Sequence, residues 1–339
     1  MKHHPDPPAG ARHEPSPPDA GQFVEYEAGI LWIRLPIPGA LRHINVWLVP
    51  TRRGWFLVDT GMKTADVEAA WDALDRQLPL ATDLESIVVT HHHPDHYGMA
   101  WRLSQRYGVD VAMTSRAAAA ADAALAGNPQ GRSDASDGFA ERLGIHLDDD
   151  MRAILRGGIY RRIVSGKADT MPLTDSWHDW RVDVHDGHAP GHACLLHEDD
   201  RILISGDQLL PTISSNVSLY PSNEEGDPLG DFLASLDRLS ELHAGTLILP
   251  AHGRPFRTPL ERIDALKQEH AARLARIREL CREPRSTQEV ATSLYRFERL
   301  DALNRLLAVT ETLAHLRRLE LEQLLVREAA AGTVRWRST

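Results

Sequence analysis

The chain has 339 residues, 42% of them apolar, enough to bury a substantial core in one large domain with a smaller one attached. Its formal charge of −10 argues against nonspecific attraction to nucleic acid or to an anionic membrane, though residues from Arg254 onward carry +5 and the rest −15. Two cysteines, Cys194 and Cys281, exclude a disulfide framework or a thiolate zinc site, and with no apolar run of membrane-spanning length and no hydrophobic signal core, a cytoplasmic location is expected.

Residues 1–21 are rich in proline without any apolar period and are expected to form a disordered tail. Residues 30–35, 44–49 and 55–59 read as strands, and the Pro-Thr-Arg-Arg-Gly turn between the last two suits an antiparallel hairpin. Asp59-Thr60-Gly61 follows, and an Asp ahead of a Gly is by itself a turn former. Thr64 then opens an amphipathic helix with Val67, Ala70, Trp71 and Leu74 at helical spacing.

The next strand, residues 86–89, runs into Thr90-His91-His92-His93-Pro94-Asp95-His96. Histidines crowded at a strand end would repel one another if protonated and would cost desolvation if buried neutral without partners. A divalent cation removes both problems, because neutral imidazole and carboxylate are the ligands that zinc and its neighbours accept. Side chains diverge on a loop, so His91 and His93 can reach one ion while Asp95 and His96 reach a second. His92 alternates away from them and suits packing or support of a ligand. The bland alternative is a solvated histidine run like His3-His4, but the buried-looking strand in front argues against it. A helix from Met99 and a strand over 109–113 complete a βαβ unit, whose functional loop lies at the carboxyl end of its strand.

Residues 116–167 read as a helical insert longer than a connection needs, expected to cover the metal loop and select substrate. Its Arg152, Arg156, Arg161 and Arg162 either receive an anionic group or line a solvated helix face. Strands over 177–184 and 193–197 flank Gly187-His188-Ala189-Pro190-Gly191-His192, with His185 and His197 read as ordinary polar positions. A strand over 201–206 ends in Asp207, residues 209–228 form a loop, and a helix from Asp227 leads to a strand over 245–250 that feeds His252. Strand, candidate ligand and helix thus recur in both halves, as a two-sheet sandwich would require. Beyond it, Ile263, Leu266, His270, Leu274 and Ile277 form one stripe of a long helix. A break at 283–287, two further helices and a hairpin over 326–336 follow.

Four of these stretches, in this order, resemble the metallo-β-lactamase superfamily of hydrolases. Thr90 to His96 is similar to its T-H-x-H-x-D-H signature, and Gly187 to His192 to its G-H-x-x-G-H element. Ser205-Gly206-Asp207 is similar to its strand-terminal aspartate, and Leu249-Pro250-Ala251-His252-Gly253 to its final histidine motif. The resemblance spans roughly residues 30–252 and implies an α/β fold, an αββα four-layer sandwich, over residues 22–258. Residues 259–339 resemble the linker helix and small helical, winged-helix-like domain appended to some members.

The resemblance also implies a ligand set: His91, His93 and His188 at one metal, Asp95, His96 and His252 at a second, and Asp207 bridging. Asp59 would support the loop, and His192 is held in reserve behind His188 as a packing or hydrogen-bonding neighbour. The implied cofactor is a pair of divalent ions, zinc first, with iron or manganese as alternatives. Hydroxide generated between them would attack a carbonyl carbon, with Asp95 as the catalytic group that orients it and carries its proton. His93 stands where members with di-iron redox chemistry carry a carboxylate, and the all-histidine-and-aspartate set resembles glyoxalase II, lactonases and acyl-CoA thioesterases. Hydrolysis of a small thioester, ester or lactone is therefore expected, with a small acyl molecule as partner and no membrane. A phosphodiester-cleaving endoribonuclease, a mononuclear-iron persulfide dioxygenase and a noncatalytic binding protein stay open. The carboxyl-terminal helices lack a concentrated basic recognition helix, so packing or a homodimer contact is expected of them ahead of nucleic acid.

Overall fold

The computed structural model describes residues 15–39, 41–126, 138–155, 160–330 and 333–339. One sheet contains β1 (Phe23–Glu25), β2 (Leu31–Pro36), β3 (His43–Pro50), β4 (Trp55–Val58), β5 (Leu84–Val88), β6 (Asp110–Met113) and β7 (Thr170–Pro172), side by side in chain order. The pairings from β1 to β4 are antiparallel, including the β3–β4 hairpin read from sequence, and those from β4 to β7 are parallel. The switch follows the connections. Tight turns permit only antiparallel neighbours, whereas the helices Ala65–Asp75 and Ala100–Tyr107 supply the crossovers that parallel strands need.

A second sheet contains β8 (Ser176–Trp177), β9 (Trp180–His185), β10 (His192–His197), β11 (Ile202–Gly206) and β12 (Leu247–Pro250), ordered β12-β11-β10-β9-β8. Its one parallel pair, β11 with β12, is bridged by the helix Pro228–Leu239. Alternation along the strands sends side chains to two faces. Trp32, Trp47, Phe56 and Val88 meet Leu195, Ile204 and Leu249 between the sheets. On the outer face of the first sheet, Ile33, Leu57 and Ile87 pack on Val67, Trp71 and Leu103, and outside the second, Leu203 and Ile248 pack on Phe232, Leu236 and Ile263. Helix, sheet, sheet and helix therefore stack as expected, and each fully buried Leu, Val or Phe contributes about 1.5–3 kcal/mol.

The helices Pro259–Leu280, Thr287–Leu294 and Ala302–Leu321 pack with the antiparallel hairpin of β13 (Leu325–Ala330) and β14 (Thr333–Ser338) around Ile277, Val290, Val309, Leu313 and Trp336. Ser286 closes the middle helix with a capping box on Glu289.

Two expectations need correction. The tail is not featureless up to Gly21: Pro18 and Gly21 are buried, the Gly21 carbonyl accepts a 2.8 Å hydrogen bond from Gln77, and the Pro15 carbonyl accepts one of 3.1 Å from Arg254. Proline-rich chain without a period of its own can still lie in a groove that supplies its hydrogen bonds. The insert, in turn, does not simply cover the metal loop. Phe139, Leu143, Ile145, Leu147 and Met151 join the carboxyl-terminal core, Thr287 donates to the Leu143 carbonyl at 2.6 Å, and Asp148 pairs with Arg305 at 2.9 Å. Its apolar side chains complete a helical unit too small to close its own core. Tyr160 does reach the metal loop, donating to the His92 carbonyl at 2.6 Å. Of the arginines singled out, Arg152 donates to the Leu147 carbonyl at 3.2 Å, Arg161 and Arg162 are exposed, and Arg156 lies outside the described residues. No helix among the described residues is long and apolar enough to cross a membrane.

Candidate metal centre

All the candidate ligands sit at carboxyl ends of strands or on the loops that follow. After β5, Thr90 and His91 continue the chain inward, His93 takes an extended conformation, and Pro94 starts a helical turn, Pro94–Tyr97. That turn puts Asp95 and His96 into a donor set of their own, although the His96 ring still lies beside that of His91, with centroids 4.0 Å apart. The β9–β10 loop brings His188, the end of β11 brings Asp207, and the loop after β12 brings His252.

Two donor sets result. His91, His93, His188 and Asp207 each offer one atom, all within 4.8 Å of one another, and Asp95, His96 and His252 form a second set to the same limit. His188 Nε2 lies 3.2 Å from His91 Nε2 and 3.3 Å from Asp207 Oδ2, and His252 Nε2 lies 3.3 Å from both Asp95 Oδ2 and Asp207 Oδ1. A tetrahedral ion with bonds of ~2.0–2.1 Å holds its ligand atoms about 3.3 Å apart, so these separations fit a zinc-sized cation. Asp207 faces both sets, since its Oδ2 is also 3.5 Å from His96 Nε2.

The far nitrogens of the rings are held by the protein. His96 Nδ1 donates to Asp59 Oδ2 at 2.7 Å, His188 Nδ1 to the Asn216 carbonyl at 2.8 Å, and His252 Nδ1 to the His43 carbonyl at 2.9 Å. Those acceptors fix the tautomers, and in each case the Nε2 lone pair is turned toward the cluster. His96 Nε2 and Asp207 Oδ1 are buried and make no hydrogen bond. Orphaned buried donors and acceptors cost about 1–3 kcal/mol each, a cost that coordination removes.

Burial pushes the pKa of His91 and His93 well below the usual imidazole range, and the neighbouring histidines push the same way. Burial opposes protonation of His96 too, but Asp59, Asp95 and Asp207 outweigh it and hold its pKa well above that range. Against its own burial, His252 is drawn up to about 10 by Asp207 and Asp95. Asp207, despite burial, is held well below the carboxylate range by His252 and His96. The cluster is thus an acidic cavity that retains positive charge, as protons on two histidines or as cations in their place.

Asp59 lies beneath the loop, in contact with Thr90 and His96. Its φ of +65° is the left-handed conformation a side chain rarely adopts, and its carboxylate accepts from the Thr90 amide at 2.8 Å and the Thr90 hydroxyl at 3.0 Å. His192 belongs to neither donor set. Its Nε2 accepts the Asp207 amide at 3.1 Å, so it fixes the backbone that presents Asp207. Gly206 makes this approach possible: its φ is +50°, and a Cβ there would meet His192 Nε2 at 2.6 Å. His92 is also outside both sets, touching the insert through its carbonyl.

Other supports escaped sequence reading. Asn45, fully buried in β3, accepts from Trp32 Nε1 at 2.8 Å and donates to the Pro250 and Gly253 carbonyls, each at 2.9 Å. It thereby clamps the loop that carries His252. A buried Asn within an apolar strand was the available signal. His43, whose carbonyl holds His252, accepts the Gly253 amide at 3.2 Å, and burial beside Arg34 lowers its pKa to about 4.

Residues 39–252 match the Metallo-beta-lactamase superfamily, and residues 274–339 match the Metallo-beta-lactamase-like, C-terminal domain. A Bacillus subtilis (strain 168) protein named "Probable metallo-hydrolase YqjP" is 29% identical over 323 residues, covering 90% of this chain and 96% of the relative. Among solved structures, a beta-lactamase domain protein from Burkholderia ambifaria superimposes with a TM-score of 0.85 at 34% identity, covering 95% of this chain and 96% of that one. A metallo-beta-lactamase family protein from Thermus thermophilus gives 0.77 at 29% identity, with 92% and 99% covered. With the two-sheet fold, the strand-end donors and both halves of the chain matched, this protein belongs to the metallo-beta-lactamase superfamily.

Proposed function

We propose that the protein is a metal-dependent hydrolase of small thioesters, esters or lactones. In this reading His91, His93 and His188 hold one divalent cation, Asp95, His96 and His252 hold another, and Asp207 bridges them. Zinc is the first choice, with iron or manganese as alternatives. The observation that carries the reading is Asp207, whose two oxygens face histidines of different donor sets at 3.3 Å, His188 through Oδ2 and His252 through Oδ1.

A cation pair, when bound, supplies Lewis acidity and a water acidified toward neutral pH. The rest falls to the chain's own side chains. Asp95 is the more exposed of the two carboxylates, at 15% against 10% for Asp207. In this reading Asp95 orients an attacking water and takes up its proton, and its greater exposure supports that role. The chain offers no competing thiol nucleophile: Cys194 and Cys281 are buried, and burial pushes the first thiol pKa well up and the second to about 11.

Support for hydrolysis comes from the name of the Bacillus relative. Support for a thioester comes from a shorter match, 36% identity over 77 residues, to a "Hydroxyacylglutathione hydrolase" of Albidiferax ferrireducens, covering 27% of that relative. The test is a substrate panel of acyl-CoA and acyl-glutathione thioesters, aryl esters and lactones, offered to zinc-, iron- and manganese-loaded protein. Turnover of at least one class is expected, lost together with metal content in Asp95→Ala and His188→Ala. Cleavage of RNA, or oxygen uptake on a persulfide, without any acyl hydrolysis would overturn the substrate class.

A further inference from the structure

We propose that the carboxyl-terminal helical unit sets the geometry of the metal centre, with Glu311 and Thr310 acting as positioning residues for His188 through Asn216. The inference rests on the metal-centre reading above and adds a role for the appended unit, which otherwise contributes none of the candidate ligands.

His188 differs from its partners in what holds it. Asp59 and His43, which hold His96 and His252, belong to the first sheet or the turn at its edge, whereas the Asn216 carbonyl that holds His188 Nδ1 lies on residues 208–220, which form no helix or strand. No sheet ladder fixes that carbonyl. The helix Ala302–Leu321 instead holds the side chain of Asn216 and the residues that follow it. The Leu219 amide donates to the Thr310 carbonyl at 3.1 Å, and Ser218 Oγ lies 2.8 Å from Thr310 Oγ1. Ser218 Oγ also donates to Asn216 Oδ1 at 2.5 Å, while Asn216 Nδ2 points to Glu311 Oε2 at 3.5 Å. Both ends of the Asn216 amide are therefore engaged, one through Ser218 and one by Glu311.

Glu311 is in turn held in place. It pairs with Arg273 of the helix Pro259–Leu280 and accepts from the Tyr295 hydroxyl at 3.3 Å. Farther along the loop, Ser214 Oγ meets His270 Nε2 at 3.3 Å. The loop between Asp207 and Tyr220 is thus tied to two helices of the carboxyl-terminal unit at Ser214, Asn216, Ser218 and Leu219, and the tie at Asn216 holds the side chain of the residue whose carbonyl orients His188. Glu311 Oε2, turned away from Arg273, is shared between the Tyr295 hydroxyl and Asn216 Nδ2. Partners of a metal ligand alter affinity by roughly 10–100-fold when removed, and one step farther out the effect belongs at the lower end.

The experiment uses the full chain loaded with zinc and, separately, with cobalt(II). Asn216→Asp leaves the carbonyl that His188 uses but sets a carboxylate against Glu311; Asn216→Asp combined with Glu311→Gln restores one amide facing one carboxylate. The expected result is about a 10-fold weaker zinc dissociation constant for Asn216→Asp, with a shifted cobalt absorption band, and recovery to within about 3-fold in the double variant. If Asn216→Asp does not fold, Asn216→Ala is measured instead, with the same direction expected. Wild-type zinc affinity and an unchanged cobalt band in whichever single variant folds would overturn the inference while leaving the metal centre standing. A wild-type protein that binds no metal would sink the metal-centre reading itself, and this inference with it.

Discussion

Asp59 Oδ2 lies 2.7 Å from His96 Nδ1, and this contact decides which nitrogen of His96 faces the donor cluster. The same carboxylate takes up the Thr90 amide and hydroxyl, so one side chain in a strained left-handed conformation fixes both the loop and the tautomer. Asp59→Asn keeps the shape but offers one acceptor oxygen where three donors converge. It should weaken metal binding about 10–100-fold by chelator competition, with little change in secondary structure. An unchanged dissociation constant would show that His96 is oriented without Asp59.

Gly206→Ala should destabilise the fold through two additive causes. The left-handed backbone costs a side chain about 1–2 kcal/mol, and the new methyl would lie 2.6 Å from His192 Nε2, adding about 1–3 kcal/mol of overpacking. A urea midpoint lower by an amount corresponding to about 2–5 kcal/mol is expected. Because His192 holds the Asp207 amide, metal content should fall in parallel.

Asn45→Ala removes the acceptor for Trp32 and both donors to the His252 loop. Leaving those buried groups unpaired should cost about 2–4 kcal/mol of stability, read by denaturant titration. The deletion should also loosen the second donor set more than the first, since His252 follows the clamped Pro250 carbonyl by two residues. Equal losses at the two metal positions would contradict that assignment.

Acid should weaken the junction between the sandwich and the carboxyl-terminal helices. His270 Nδ1 lies 3.1 Å from His315 Nε2, His315 Nδ1 donates to the Glu311 carbonyl at 2.8 Å, and Ser214 and the Phe232 ring face His270 from the other side. Each ring carries one proton in this chain. Burial lowers the pKa of His270 to about 4, aided by Arg273 and opposed by Glu269, and burial with His270 and Arg273 nearby lowers that of His315 to about 3. Both values lie below the unfolded imidazole value of about 6.5, so the unfolded chain binds more protons in between. Stability is therefore fully present above about pH 6.5 and is lost as the pH falls toward 4, each ring adding a slope of up to about 1.4 kcal/mol per pH unit. His315→Gln should flatten that slope relative to wild type; an identical pH dependence would exclude the pair as its source.

The candidate site was legible because its chemistry is local in sequence. His91, His93, Asp95 and His96 fall within six positions, and His188, Asp207 and His252 each close a strand or a Gly-rich turn that carries its own signal. The sheets were legible for a similar reason, since β3, β4 and β11 are apolar runs bounded by turn residues. What stayed hidden is held by contacts between residues distant in the chain. Asn45 reaches Gly253 across 208 positions, Glu311 reaches Asn216 across 95, and the apolar side chains at 139–151 find their core in helices that begin more than a hundred residues later. An Asn in a strand, a Glu in a helix and an apolar insert each have a bland local reading, and only their placement gives them a role. The same holds for His192, where the motif supplied the residue but not its hydrogen bond to Asp207.

The most direct measurement is anomalous diffraction at the metal absorption edge from crystals of zinc-loaded protein. The account predicts two peaks about 4 Å apart, one among His91, His93 and His188 and one among Asp95, His96 and His252, with Asp207 touching both. A single peak, or peaks that leave Asp207 uncoordinated, would contradict it.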